Sequence, residues 1–159
     1  MLLVHDMTDA DFAWLLGEAV AHPASLTLPE PNLAPPEILT MLRGVTAAIA
    51  ASDDRPVAWL VSESDVVVAM ISFTKREANG RYEIGYGVAP AHQGQSVMTR
   101  ALAVLLPLLA AQGHHGLTVG TSVDNPASQR VLEKNGFVRT GMRDDPEDGA
   151  LITWAIDLN

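Results

Sequence analysis

The chain has 159 residues, 48% of them hydrophobic and 18% charged, which is typical of an ordinary globular protein and predicts a single domain over residues 1–159. A formal net charge of −9 argues against nucleic acid or an anionic membrane surface as a partner and favours a cationic or neutral one. Cysteine is absent, which excludes disulfides and a thiol nucleophile and is compatible with a reducing cytoplasm. The N-terminus is acidic, unlike a signal peptide, and the longest apolar run, residues 101–111, is too short to span a bilayer. We therefore expect a soluble, cytoplasmic protein.

The first third of the chain predicts one strand and two helices. Residues 1–7 form a short strand, and residues 8–20 follow as a helix with a polar N-cap and apolar residues on one face. Residues 22–36 contain five of the ten prolines, which excludes regular structure there. The proline pair at the end of this segment can open a second helix over residues 37–51.

The remainder predicts six strands and two helices, in the order β-β-β-α-β-α-β-β. These elements occupy residues 57–64, 65–75, 82–90, 97–112, 117–123, 125–136, 137–143 and 151–158. The strand at 117–123 carries no charge, which predicts a place in the middle of the sheet. The helix before it requires a parallel crossover, whereas the hairpins require antiparallel pairs. The order therefore predicts a mixed α/β sheet with helices on its faces.

The strand YEIGYGVAP has two glycines and a carboxylate on one face. Alternation places Glu83, Gly85 and Gly87 together, opposite Tyr82, Ile84, Tyr86 and Val88. Glycines inside a strand indicate a bulge or the close approach of a ligand or another backbone. Desolvation raises the pKa of a half-buried carboxylate, as a general base near neutral pH requires. Glu83 is thus either a general base or a solvated strand residue beside glycines that make room for a helix.

The stretch AHQGQSVMTRAL, residues 91–102, places Gly94 directly before a long apolar helix. The first amides of a helix have no partners within it, and the helix dipole favours an anion beside them. This segment is therefore either a connecting loop or an anion cradle. It lacks the Gly-Lys-Ser/Thr ending of a Walker loop and the three spaced glycines of a dinucleotide fingerprint.

The stretch NPASQRVLEKNG is a helix with clear boundaries. Asn125 followed by Pro126 is a strong N-cap and first-turn pair, and Lys134 with Gly136 forms the matching C-terminal stop. Ser128 in the first turn either faces a ligand or is an ordinary helix residue.

Metal sites are not expected, because the five histidines are scattered along the chain. His114 and His115 follow the glycine that ends a helix, where solvent exposure is predicted. A Ser-His-Asp site is excluded, because no serine lies in a glycine-flanked elbow.

Together, YEIGYGVAP, HQGQSVMTRAL and NPASQRVLEKNGFVRTGMR, in this order and spacing, resemble the GCN5-related N-acetyltransferase (GNAT) superfamily, most closely its branch that acetylates ribosomal-protein N-termini. The resemblance is close over residues 81–159 and elsewhere rests on element order. It implies a GNAT-like, mostly antiparallel sheet with a central parallel splayed pair of strands and helices on both faces. It also implies acetyl-coenzyme A (acetyl-CoA) as co-substrate, no metal, and direct attack by a primary amine in a ternary complex. The acceptor would be a small-molecule amine or a protein N-terminus.

The resemblance also implies roles for individual residues. The family's pyrophosphate loop, whose amides hold the phosphates, matches Gln93, Gly94, Gln95, Ser96, Val97 and Met98. Val88 matches the position that pairs through its backbone with the pantetheine arm of the cofactor. Asn125 and Ser128 match the N-x-x-S of this branch and contact the cofactor, with Ser128 near the departing thiolate. Glu83 matches the strand glutamate that removes the proton from the amine.

Three residues depart from the family pattern. Ala91 replaces a polar side chain, Ser96 replaces a small residue where the backbone approaches phosphate, and Leu132 stands where many members carry a general-acid tyrosine. Ser96 and Leu132 favour an alternative function, a catalytically silent acyl-CoA-binding or interaction protein with the same fold.

The helix at 97–112 is apolar nearly all round, which predicts burial on most sides. Either the early helices of the chain or a second subunit would cover it, so a homodimer is a possible assembly.

Overall fold

The computed structural model describes residues 1–158 and contains the predicted elements in the predicted order. Its strands are β1 (Leu2–Asp6), β2 (Ala58–Glu63), β3 (Val66–Arg76), β4 (Tyr82–Val88), β5 (Gly116–Ser122), β6 (Val138–Asp145) and β7 (Gly149–Asp157). Its α-helices are α1 (Asp9–Leu15), α2 (Pro36–Ala50), α3 (Val97–Ala111) and α4 (Pro126–Lys134). A short 3-10 helix, Pro90–His92, was not predicted and leads from β4 toward α3.

All seven strands belong to one sheet, in the order β1-β2-β3-β4-β5-β7-β6. The pairs are antiparallel except β4–β5, which is parallel and joined through α3. β5 lies between β4 and β7, as its uncharged sequence predicts. The predicted fold class is therefore confirmed.

The apolar side chains divide into one cluster on each face of the sheet. On one face, Phe12 of α1 and Leu39 of α2 pack with Leu60 of β2. On the other face, α3 packs with neighbouring strand residues such as Trp59 and Val61. This division follows from strand alternation and confirms that helices cover both faces.

Residues with positive φ explain why the first predicted helix is too long and how the hairpin between β2 and β3 turns. The helix predicted for residues 8–20 ends at Leu15, because the backbone turns at Gly17, which has φ of 82°. The hairpin between β2 and β3 turns at Ser64 and Asp65, both with positive φ, which suits the twist of a two-residue hairpin loop. That hairpin was predicted.

His114 is buried, so its predicted exposure is wrong. The residue is 3% exposed, and its ring centroid lies 5.2 Å from that of Phe73 and 5.8 Å from that of Tyr82. Burial lowers the pKa of His114, and the positive charge of Arg55 lowers it further.

The helix α3 is buried on its inner side only. Five apolar residues remain exposed on its outer side and form what we call the α3 outer stripe: Ala103, Val104, Pro107, Leu108 and Ala111. The helices α1 and α2 pack on the opposite face of the sheet and do not cover this stripe. The expected burial on most sides is therefore wrong for the single chain.

Among the helices of residues 1–158, none combines the length and apolar character of a bilayer span.

Candidate active site

The strands β4 and β5 separate soon after they begin. They pair only at Tyr82–Leu117 and Glu83–Thr118, whereas β4 stays paired with β3 as far as Val88. From residue 84 to residue 88, β4 therefore has a strand on one edge and no partner strand on the other. Such an edge presents backbone donors and acceptors that an extended ligand can use.

A cavity of about 530 Å³ lies beside this free edge, between the end of β4, the start of α3 and the start of α4. Eight of the predicted cofactor-binding residues line it: Val88, Gln93, Gly94, Ser96, Val97, Met98, Asn125 and Ser128. The ninth, Gln95, is not in the lining, and its carbonyl accepts a hydrogen bond from Arg100 at 3.1 Å.

The cavity is open to the first turn of α3. Gly94 and Ser96 both have positive φ, 79° and 57°, and Ser96 is the N-cap, although its hydroxyl makes no capping hydrogen bond. The amides of Val97, Met98 and Thr99 are in the first turn, where a helix offers no acceptor, and no other backbone carbonyl of residues 1–158 accepts from them. These amides and the helix dipole favour a bound anion.

Two cations that the sequence analysis did not assign to a site line the same cavity. Arg130 and Lys134 lie one turn apart on α4, and neither takes part in an ion pair within the described part of the chain. They place positive charge at this cavity of an otherwise acidic protein. The i, i+4 spacing of Arg130 and Lys134, in the helix that follows Asn125, is the sequence pattern that could have predicted these two cations on one helix face.

Two hydroxyl groups meet at the same cavity. The Asn125 side chain caps α4 by accepting from the Ser128 amide at 3.1 Å, which confirms the predicted N-cap. The Ser128 hydroxyl lies 2.6 Å from the hydroxyl of Tyr86, which comes from β4. Burial raises the pKa of Tyr86, while the hydrogen bond with Ser128 opposes this shift. Strand alternation predicts that Tyr86 lies on the face opposite Glu83, but it does not predict this contact.

Glu83 lies where β4 and β5 separate, but its side chain is on the opposite face of the sheet from Tyr86 and does not line the cavity. Its carboxylate accepts from the Thr74 hydroxyl and from the Arg143 guanidinium, each at 3.1 Å, and its side chain is 19% exposed. The Thr74 and Arg143 side chains therefore contact the face of β4 that carries Glu83, although the two glycines on that face have no side chains.

The glycines near Glu83 have different causes. A Cβ on Gly85 would lie 3.1 Å from the Thr74 methyl group, so this glycine makes room for β3, whereas a Cβ on Gly87 would meet no atom within 4 Å. A Cβ on Gly120 of β5 would lie 3.3 Å from Arg143. The absence of a side chain at Gly120 therefore leaves room for the Arg143 side chain to extend over β5 and reach Glu83.

The family model described as "Acetyltransferase (GNAT) domain" matches residues 2–138. The chain belongs to the GNAT acetyltransferase family. The Ribosomal-protein-serine acetyltransferase of Escherichia coli (strain K12) is 34% identical over 85 residues, which are 52% of this chain and 48% of that protein. This GNAT chain thus matches about half the length of that curated relative.

Solved structures of acetyltransferases have the same fold. The ribosomal L7/L12 alpha-N-protein acetyltransferase RimL, in complex with coenzyme A, superposes with a TM-score of 0.72 at 21% identity, covering 98% of this chain and 93% of that one. Mutant forms of the spermidine/spermine N-acetyltransferase SpeG from Vibrio cholerae give a TM-score of 0.69 at 14% identity, covering 99% and 95%. At these identities the likeness concerns the fold.

Leu132, which the resemblance matches to the tyrosine of many GNAT members, is part of the core. Leu132 is 0% exposed and belongs to the apolar cluster beneath α3. The side chain at this position therefore supplies neither a hydroxyl nor a surface to the cavity.

Within residues 1–158, no group of three or more His, Cys, Asp and Glu side chains is placed to hold a metal ion.

Proposed function

We propose that this GNAT protein transfers an acetyl group from acetyl-CoA to a primary amine, by direct attack in a ternary complex. The observation that carries the proposal is the cavity itself, where a free strand edge, an open helix N-terminus and a pair of hydroxyl groups meet. When bound, acetyl-CoA supplies the thioester. The chain has no cysteine, which fits a transfer without an enzyme-bound acyl group.

Different residues of the cavity bind different parts of the cofactor. The amides of Val97, Met98 and Thr99 hold the pyrophosphate, and Arg130 and Lys134 add positive charge beside it. The free edge of β4, as far as Val88, pairs with the pantetheine arm. The Gln93 side chain donates to the Val88 carbonyl at 3.4 Å and ties the loop to the end of that strand.

The thioester of acetyl-CoA and the acceptor amine reach the opening between β4 and β5 from opposite faces of the sheet. Ser128 lies on the cofactor side and donates a hydrogen bond to the departing sulfur. Glu83 lies on the other side and accepts the proton of the acceptor ammonium, directly or through water. A cationic acceptor then competes with Arg143 for the Glu83 carboxylate.

The acceptor is a small-molecule amine or a protein N-terminus. The E. coli relative is named for a ribosomal-protein serine, whereas SpeG is named for spermidine and spermine. The net charge of −9 favours a cationic acceptor and agrees with both classes. A cytoplasmic location stays a prediction.

Thiol release from acetyl-CoA, measured over a panel of amines with mass spectrometry of the products, tests the proposed reaction. The panel contains peptides with N-terminal serine or alanine, polyamines and free amino acids. We expect release that depends on an amine and yields a singly acetylated product. Binding of acetyl-CoA without transfer to any amine would favour the silent-binder alternative, and absence of binding would refute both.

A homodimer is proposed on the α3 outer stripe, which the chain's own helices leave exposed. Light scattering at micromolar concentration tests it. A mass near the 16.9 kDa of one chain would contradict a dimer.

A further inference from the structure

Ser128 has a hydroxyl partner that the proposed reaction does not yet use. The Tyr86 hydroxyl lies 2.6 Å from the Ser128 hydroxyl, and either group is able to donate in this pair. Both residues line the cavity, and they come from elements far apart in the chain. The backbone of Ser128 is fixed by its hydrogen bond to Asn125, so the contact depends on two ordered elements.

The direction of this hydrogen bond decides what Ser128 can do. A serine hydroxyl has one hydrogen and two lone pairs. If Ser128 donates to Tyr86, it has no hydrogen left for a sulfur atom in the cavity. If Tyr86 donates, the Ser128 hydrogen is free and its oxygen is held in place.

Chemistry favours donation by Tyr86. A phenol is a stronger acid than an aliphatic alcohol and is the better donor of the two. The Tyr86 ring packs against the apolar cluster below α3, and in the described part of the chain its hydroxyl bonds only to Ser128. Burial raises the pKa of Tyr86, so the phenol keeps its proton at neutral pH and remains able to donate.

We propose that Tyr86 is a positioning residue, which accepts no substrate proton but turns the Ser128 hydrogen toward the departing sulfur. The inference rests on the proposed acetyl transfer. Neither hydroxyl gives up its proton, since the two hydrogen bonds only stabilise negative charge on the sulfur as its bond to the acetyl carbon breaks. It also explains how the chain can work with Leu132 in its core, because a phenol from β4 acts through Ser128 instead.

Tyr86→Phe tests the inference, with Tyr82→Phe as the matched control. Tyr82 lies on the same strand, but its hydroxyl donates to Asp53 at 2.8 Å and it does not line the cavity. We expect Tyr86→Phe to lower kcat about tenfold, the effect of losing one well-placed hydrogen bond, with the KM for acetyl-CoA unchanged. Tyr82→Phe should keep the wild-type kcat.

A double-mutant cycle shows whether Tyr86 acts through Ser128. In a Ser128→Ala background, Tyr86→Phe should cause no further loss of kcat, because the hydroxyl it positions is already gone. An equal loss in both backgrounds would overturn the inference.

A second readout does not depend on acetyl transfer. The ultraviolet absorbance of the thiolate, followed against pH, gives the pKa of the thiol of bound coenzyme A. A hydrogen bond from Ser128 lowers that pKa, so we expect a higher value in both Tyr86→Phe and Ser128→Ala than in the wild type. Equal values in all three proteins would overturn the inference.

The two proposals fail in different ways. A wild-type chain that binds no coenzyme A refutes the proposed function and, with it, this inference. A wild-type chain that binds and transfers, with kcat and thiol pKa unchanged in Tyr86→Phe, refutes the inference alone.

Discussion

Replacing Gly94 by alanine tests the phosphate loop with little effect on the rest of the fold. Gly94 has φ of 79°, and a Cβ there would meet no protein atom within 4 Å. The substitution therefore adds only conformational strain, about 1–2 kcal/mol for an L-residue in the left-handed region, partly offset by about 0.4–1 kcal/mol from a stiffer unfolded chain. For a chain of this length, the net loss lowers Tm by a few degrees, at about 2–4 °C per kcal/mol.

Gly80 provides the matched control. It has φ of 82° and equally open space around a Cβ, but it lies in the turn between β3 and β4 and does not line the cavity. Gly80→Ala should therefore lower Tm by nearly the same amount as Gly94→Ala.

Thermal unfolding with and without coenzyme A separates strain from binding. A ligand at about 100 times its Kd stabilises the folded state by about 2.7 kcal/mol, which raises Tm by roughly 5–11 °C. Wild type and Gly80→Ala should show this rise, whereas Gly94→Ala should lose most of it, because the added methyl group keeps phosphate from the backbone. The same rise in all three proteins would refute the assignment of this loop.

Three further predictions concern the base, the N-cap of α3 and acid stability. Glu83→Gln should lower kcat about 100-fold with unchanged affinity for acetyl-CoA. Glu77 accepts a hydrogen bond from Thr118, the β5 residue that pairs with Glu83, and Glu77→Gln should leave kcat as it is. Steady-state kinetics that show equal kcat for wild type and Glu83→Gln would exclude Glu83 as the base. Ser96→Gly should raise Tm, since glycine removes strain at φ of 57°, and a lower Tm in thermal unfolding would mean that the serine side chain stabilises this turn. Burial lowers the pKa of His114, so as the pH falls below its ordinary value of about 6.5 the unfolded chain takes up the proton first and stability is lost. Urea unfolding at pH 7 and pH 5 should show a smaller loss for His114→Phe than for wild type, and equal losses would contradict this cause.

The element order and most of the cavity were predictable because their determinants are local. Strand alternation, the Asn125–Pro126 cap and the glycines that end helices act within a few residues of each other. The end of β4 and the start of α3 are adjacent in sequence, so Val88 and the loop with Gly94 necessarily lie together. Six of the eight predicted cofactor-binding residues that line the cavity belong to this one segment, residues 88–98.

The contacts that sequence reasoning missed join distant parts of the chain. Arg143 reaches Glu83 across 60 positions, and Tyr86 meets Ser128 across 42. Both contacts depend on the order of strands in the sheet, and the Arg143–Glu83 contact depends also on the missing side chain at Gly120. No local pattern reveals either condition. The burial of His114 likewise follows from its place beside the β3 and β4 aromatic rings, not from the glycine that precedes it.

Amide hydrogen exchange with and without coenzyme A tests most directly whether the cofactor binds along the free edge of β4 and at the start of α3. Binding should slow exchange in peptides that cover residues 84–88 and 93–99, since the ligand would pair with the strand edge and accept from the helix amides. Unchanged exchange in both segments, or protection confined to α1 and α2, would contradict this mode of binding.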